Sequence, residues 1–358
     1  MAMEPEELKL LLASAQRWFN DNNTFETRVA SFREGHRQQP GDWATLAEMG
    51  WLALPLSEED GGFGAGYVER LALIQLAGGH VRPEALETHC LLASEVAAAN
   101  PAYAEALAAG TMRLGMADLS DRGGMVVDAS DGACVLSGSS GPVLGAQEAT
   151  HYIVLFKEAS GALRAALIAA NASGLSAASA RLIDKRDTVL LTLDGVSGLW
   201  LDTAAGVGSG QRLRDLAAAG QVADAAGVLE AGFNLTLDYL KQRQQFGKPL
   251  SQLQAVQHKM ADIFCDVKQM LALAERLAQE MDADPAGPWP SLPVAKAFVG
   301  RRAIRGMGQL IQLSGGIGVT EEYKITHLYR RLHVAAALFG STESQLSRID
   351  VRHALLAS

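Results

Sequence analysis

The chain has 358 residues, 48% of them hydrophobic and 20% charged, ordinary proportions for a globular protein with room for two or three structural regions. A net charge of −9 argues against a nucleic-acid partner, which would call for a basic stripe, although a local Arg cluster can still hold phosphates in an acidic protein. No apolar run approaches the roughly 20 residues that cross a bilayer, so no membrane role is expected.

The opening stretch from Met1 to Leu12 is acidic and lacks a basic segment, which gives the expectation of a cytoplasmic protein without a signal peptide. From there to about residue 112 the pattern is helical. Leu8, Leu11, Leu12, Ala15 and Trp18 recur at helical spacing, as do Leu46 and Met49 before Gly50. Turns fall at Pro40-Gly41-Asp42, at Asp60-Gly61-Gly62 and near Pro83 and Pro101.

The texture changes over 113–208. Short runs at Met125–Asp128, Ala133–Ser137, Tyr152–Phe156, Leu163–Ala169 and Val189–Leu193 predict strands of a small antiparallel sheet or barrel. Asp131-Gly132 and Ser160-Gly161 mark turns between them. Gly206, Gly208 and Gly210 imitate a dinucleotide fingerprint but follow no βαβ pattern, so they read as a connector.

Over 209–358 long helices return. One stripe runs Val222, Ala226, Leu229, Phe233, Leu237 and Leu240, and a second runs Leu253, Val256, Met260, Ile263, Val267, Met270 and Leu271. A Pro-rich break at 284–290 precedes further helix, and the pattern suggests a four-helix bundle. The three boundaries are therefore 1–112, 113–208 and 209–358. Cys90, Cys134 and Cys265 are distant and odd in number, as expected of reduced core residues.

Four segments, in order, carry a family resemblance. They are Trp43–Gly50 leading into Leu54-Pro55 and Asp60-Gly61-Gly62; Tyr239 to Leu250, containing Arg243-Gln244-Gln245-Phe246-Gly247-Lys248-Pro249, with the helix after it; Ala295-Lys296; and Gln312 to Gly318 followed by Arg330 and Gly340-Ser341-Thr342-Glu343. Together they resemble the acyl-CoA dehydrogenase family. The resemblance implies a mainly α fold with a central β-domain: an N-terminal helical domain, a middle β-sheet domain and a C-terminal four-helix bundle. It also implies FAD as cofactor and an acyl-CoA thioester as substrate.

In that family one chain's Arg and Gln-x-x-Gly-Gly loop hold the ADP half of FAD seated in a neighbour. Arg243, Gln245 and Phe246 match the first element, and Gln312, Gly315 and Gly316 the second. Ser341 and Glu343 match the last motif. A guanidinium suits bidentate phosphate contact, and glycine lets backbone approach closely. Phe246 could equally be a core residue.

The residues that serve a chain's own flavin depart from the pattern. Pro142 stands where the family has Trp, and Leu144 where it has a hydroxyl that bonds the flavin. Ser120 could still reach FAD. The family's reaction needs a carboxylate to take the α-proton while the β-hydride passes to flavin. Its usual position, before the glycine of the Gly-Ser pair, holds Phe339, and the minority position, 26 residues before Arg243, holds Ala217. Asp215 is two residues from Ala217, a turn of roughly 200° on a helix. No catalytic residue is therefore assigned. His258 reads as structural, and no metal site is expected from His327 and His333.

Three functions remain open. The first is a non-catalytic subunit of a heterotetrameric acyl-CoA dehydrogenase of lipid or steroid catabolism, completing the FAD site of a homologous partner. The second is a homo-oligomeric flavoenzyme of the same fold with another base or chemistry, resembling monooxygenases or nitroalkane oxidases. The third is a structural paralogue without FAD.

Overall fold

Short apolar and alternating runs in the middle of the chain pair as strands, while the longer 3.6-period stripes on either side form helices. In the computed structural model, residues 4–22, 25–33, 42–128, 132–145, 148–158, 160–201 and 209–349 are described. Pro40-Gly41, Asp131, Gly206 and Gly208 lie outside them. The helices of the first part are α1 (Pro5–Asn22), α2 (Phe25–Arg33), α3 (Asp42–Glu48), α4 (Tyr67–Gly79), α5 (Leu86–Ala99) and α6 (Ala104–Ala108).

The sheet follows, with β1 (Leu114–Asp118), β2 (Met125–Asp128), β3 (Ala133–Leu144), β4 (His151–Lys157), β5 (Leu163–Ala169), β6 (Leu175–Arg181) and β7 (Asp187–Trp200). Its order is β1-β4-β5-β7-β3-β2, with β6 also paired to β7. Among the described strands only β1 against β4 is parallel; the other pairs are antiparallel. Its buried face is apolar, built from residues such as Leu136, Val154, Phe156, Ile168, Leu191 and Val196. The predicted runs at Met125–Asp128 and Leu163–Ala169 coincide with β2 and β5, whereas β1 and β6 had no strong signal.

The last part holds α7 (Ser209–Gln242), the two-residue strands β8 (Gln244–Gln245) and β9 (Lys248–Pro249), α8 (Gln254–Ala283) and α9 (Ser291–Phe298). A π-helical turn at Val299–Ala303 continues α9 into α10 (Ile304–Ser314), followed by α11 (Lys324–Ala337) and α12 (Thr342–Leu346). The chain divides into two compact units. One holds α3, α5, α6, the sheet and α7 as far as Ala217; the other holds α1, α2, α4 and the helices from Ala218 onward. No described helix is long and apolar enough to cross a membrane.

Within the second unit, α7 packs on four partners. A Cβ on Gly227 would overlap the Gln75 carbonyl oxygen of α4, so only glycine allows this crossing. Phe233 meets Phe264 of α8 at 5.8 Å, and Gly232 faces Met307 of α10. Asp224 accepts from Arg331 of α11, Nε to Oδ2 at 2.9 Å and Nη2 to Oδ1 at 2.7 Å, with both residues almost fully buried. Arg331 also donates from Nη1 to the Arg82 carbonyl at 2.6 Å, just beyond α4. The expectation of three core cysteines needs correction. Cys90 and Cys134 are buried, but Cys265 is exposed, because it lies two residues from buried Ile263 and so on the outward side of α8.

Removing one partner of the Asp224–Arg331 pair strands the other charge in the core. Asp224→Ala or Arg331→Ala should each cost about 3–5 kcal/mol, read as a lower denaturation midpoint, while the apolar double replacement Asp224→Leu/Arg331→Met should recover most of that loss. Equal losses in the single and double variants would contradict this account.

Candidate functional site

The motif at the end of α7 is a hairpin. β8 and β9 pair Gln244 with Pro249 and Gln245 with Lys248. The loop between them is just Phe246 and Gly247, with φ of 54° and 75°, the two positive angles of a type I′ turn. Glycine takes that conformation freely, but a bulky aromatic pays strain for it. Phe246 nevertheless sits at the tip with 83% of its surface exposed, which excludes the core-packing reading. Arg243 and Gln245 are exposed as well. The Arg243 backbone is fixed at both ends, its N–H donating to Tyr239 at 2.8 Å and its carbonyl accepting from Leu250 at 2.9 Å.

The glycine loop lies at the same end of the unit. α10 stops at Ser314, whose hydroxyl donates to the Leu310 carbonyl at 2.9 Å, and a short 3-10 turn runs Gly315–Val319. Tyr323 beyond it packs on Tyr239 at 6.1 Å, which draws this loop toward the base of the hairpin. Gln312, Gly315 and Gly316 are exposed, and nothing lies within 4 Å of where a Cβ would stand on either glycine. Val319 is 74% exposed beside them. The result is a solvent-facing group of one guanidinium, amides, bare backbone and apolar tips.

Ser341 and Glu343 are held differently. The Ser341 hydroxyl caps α12 by accepting from the Ser344 N–H at 3.3 Å, and Glu343 is exposed in the first turn of that helix, where a carboxylate suits the dipole. Immediately before them, Phe339 has φ of 56°, and its carbonyl accepts from Gln345 Nε2 at 3.3 Å. Lys296, 1% exposed, reaches up from α9. Its ammonium donates to the carbonyls of Ala335 at 2.5 Å, Ala336 at 3.2 Å and Gly340 at 3.2 Å. A cation on the last carbonyls of α11 complements the helix dipole. Burial still pushes the Lys296 ammonium down to about 7. The turn at which the resemblance leads one to expect a base is therefore tightly built, although its side chain is a phenyl ring.

At the other position where the resemblance leads one to expect a base, Ala217 is buried on α7. The nearby Asp215 carboxylate is buried and accepts from Gln211 Nε2 at 2.9 Å. Ser120 is engaged too. Its hydroxyl donates to Asp118 at 2.7 Å and accepts from Arg214, which also pairs with Asp118. Leu144 is buried in β3 and Pro142 exposed, next to a break in the β3–β7 register. His258 is exposed on α8. His327 is buried, and burial pushes it down to about 4. Among the described residues no group of three His, Cys, Asp or Glu could hold a metal.

Sequence reasoning missed the Lys296 clamp and the Arg214–Asp118–Ser120 cluster, because their members lie 39–44 and 94–96 residues apart. For Lys296, the folded chain holds fewer protons than the unfolded one between pH about 7 and the ordinary lysine value of 10.5. Stability should therefore rise with pH across that window and level off below about 7, where both states are protonated. Urea titrations from pH 6 to 9 should show a contribution of up to about 1.4 kcal/mol per pH unit that disappears in Lys296→Met. An unchanged slope in that variant would refute the assignment.

Two family models match. The acyl-CoA dehydrogenase N-terminal domain covers residues 5–82, and the acyl-CoA dehydrogenase C-terminal domain covers residues 213–353. The acyl-CoA dehydrogenase FadE28 of Mycobacterium tuberculosis is 28% identical over 324 residues, 87% of this chain and 92% of that protein. The acyl-CoA dehydrogenase IpdE2 of Mycolicibacterium smegmatis is 32% identical over 144 residues, so the match takes in 40% of this chain and 44% of that relative. Among solved structures, a variant of the Tcur3481–Tcur3483 steroid ACAD superposes with a TM-score of 0.89 at 28% identity, covering 99% of both chains. The ChsE4–ChsE5 complex of Mycobacterium tuberculosis reaches 0.87 at 22% identity over 99% of both chains, a likeness of fold. Matched at both ends of the chain and along its whole fold, this protein belongs to the acyl-CoA dehydrogenase family.

Proposed function

We propose that this chain takes part in FAD-dependent α,β-dehydrogenation of an acyl-CoA thioester as the subunit that lacks the base, completing the FAD site of a homologous partner in a heterotetramer. The observation that carries this reading is an asymmetry. Arg243, Phe246, Gln312, Gly315 and Gly316 face solvent at one end of the second unit, with the Arg243 and Gln312 side chains making no hydrogen bond among the described residues. The positions that would abstract the proton hold buried Ala217 and the Phe339 ring.

The exposed group fits the ADP half of FAD. The open backbone at Gly315 and Gly316 admits phosphates without a Cβ in the way, and Arg243 supplies a planar donor for them. FAD, when bound, would supply the acceptor for the β-hydride. This chain's own residues would anchor the nucleotide, and the Phe246 ring at the hairpin tip would cover it or pack on the partner. The α-proton would go to a carboxylate of the partner, since neither Phe339 nor Ala217 can accept it. The paired names of the Tcur3481–Tcur3483 steroid ACAD and the ChsE4–ChsE5 complex support two-subunit assembly, and the first of them points to a steroid-type acyl group. A cytoplasmic location follows from that role.

Purified alone, the chain should carry little flavin absorbance and show no bleaching with acyl-CoA. Co-purified with a homologous subunit that has the base, the complex should be yellow and bleach. Full flavin occupancy and bleaching by the lone chain would sink the proposal and favour a homo-oligomeric flavoenzyme.

In the complex, Arg243→Ala should weaken FAD retention by about ten- to a hundredfold, the weight of one charge-assisted contact, while Arg243→Lys should restore only part of it. Retention unchanged in Arg243→Ala would remove Arg243 from the cofactor site.

A further inference from the structure

The second unit contains a cavity of about 550 Å3 that none of these residues touches. It opens between α1, α4, α7 and the start of α11. Its origin is steric. Gly79 and Gly227 bring α4 and α7 into close contact, and the small side chains of Ala13, Ala72 and Ala231 leave the space beside that crossing unfilled. Leu12 and Leu76 add an apolar wall, and the volume lies within the range of small-molecule sites.

Its polar lining is unusual. Lys324 lines the cavity, and its ammonium has no hydrogen-bond or ion-pair partner among the described residues. Three effects oppose that charge. Lys324 is partly desolvated, Arg28 repels it, and it stands in the first turn of α11, the end of a helix that disfavours cations. Glu230, on the cavity wall supplied by α7, likewise has no hydrogen-bond or ion-pair partner among the described residues. Both residues are half-buried, a charge partly withdrawn from water without a partner is costly, and an acidic and a basic side chain lining one space without an ion pair leave room for something between them.

The wall at His80 is built with care. Gln16 donates to His80 Nε2 at 2.8 Å, and the ring stacks on Phe19 at 5.1 Å. Burial, then Lys324 and Arg82, push His80 down to about 4, so it is neutral at pH 7. The next residue, Val81, has φ of 56°, a strained value for a β-branched side chain. Two guanidiniums hold it there, Arg28 donating to the Val81 carbonyl at 2.6 Å and Arg331 to the Arg82 carbonyl at 2.6 Å. Strain of this kind persists where the surroundings over-determine it, as at ligand sites.

We infer that this cavity is a second ligand site, taking a small carboxylate with a hydrogen-bond donor at its far end: the carboxylate on Lys324, the donor toward Glu230, and a short apolar body against Leu12 and Leu76. The anion supplies the acceptor that Lys324 lacks and offsets the cationic surroundings of Arg28 and Arg82. Gln16, Gln75 and Asn234 line the same space and offer amides to either end.

The test uses the full chain with δ-aminovalerate, valerate and pentylamine, read by calorimetry and by the His80 imidazole resonance. The expected result is binding of δ-aminovalerate, weaker binding of valerate and none of pentylamine, with a shift at His80. Lys324→Met should weaken both carboxylates by at least about tenfold, and Glu230→Gln should reduce δ-aminovalerate to the level of valerate. Ala231→Phe, which fills the cavity, should abolish binding; Lys324→Met keeps the test decisive if that variant does not fold. The inference is overturned if no probe binds, if pentylamine binds as well as valerate, or if Lys324→Met binds the carboxylates unchanged.

Discussion

The buried contact between Asp224 and Arg331 ties three segments of the second unit together. One carboxylate on α7, one guanidinium on α11 and the Arg82 carbonyl beyond α4 meet with almost no solvent access. Apolar replacements of such pairs are commonly neutral or better in stability, so the energy alone is a poor reason for the arrangement. Direction is a better one. A planar fork that must satisfy a carboxylate and a carbonyl admits one rotation of each helix about its axis. With α7 and α11 set, the rest follows along them. The C-terminal end of α7 presents the hairpin, the N-terminal end of α11 presents Lys324 to the cavity, and its C-terminal end leads into the turn at Phe339.

That dependence also explains which parts of the structure were legible in the sequence. The stripes of α8 and of the C-terminal part of α7 and the alternation of β2 could be read because burial imposes a period on neighbouring residues, and β5 because it is a mostly apolar run next to a turn pair. β6 could not: Leu175–Arg181 is built from Ser and Ala and stays mostly exposed, so there is no buried face to impose alternation. β1 escaped because Gly115 interrupts it and four of its five residues are buried, leaving no alternation to detect. The pairing of Asp224 with Arg331, 107 residues away, leaves no local signal at all.

The site was legible to a similar degree. The family resemblance marked Arg243, Phe246, Gln312, Gly315 and Gly316, and the Tyr239–Tyr323 contact draws the hairpin and the glycine loop to one end. Spacing could not say that Phe246 would stand at the tip of a two-residue turn, because that depends on Gln244 and Gln245 pairing with Pro249 and Lys248. Nor could it show that Ser120, a candidate for the cofactor, has its hydroxyl committed to Asp118 and Arg214. A hydroxyl tied to an ion pair is a weaker donor to any ligand, because a new contact must displace an existing one.

The persistence of the turn at Phe339 without its carboxylate has a physical explanation of its own. Lys296 is buried and donates to three carbonyls of this segment. Any change of path there would leave a buried cation and several carbonyls unsatisfied, a cost of several kcal/mol. Packing of α9 against the end of α11 therefore maintains the backbone whether or not the turn carries a base. Exchange of the side chain at 339 carries no such cost, since its ring is only half-buried. The backbone at 339 and the solvent-facing group at Arg243 are thus held by separate constraints, and the proposed subunit, which keeps the frame without a base, is compatible with that separation.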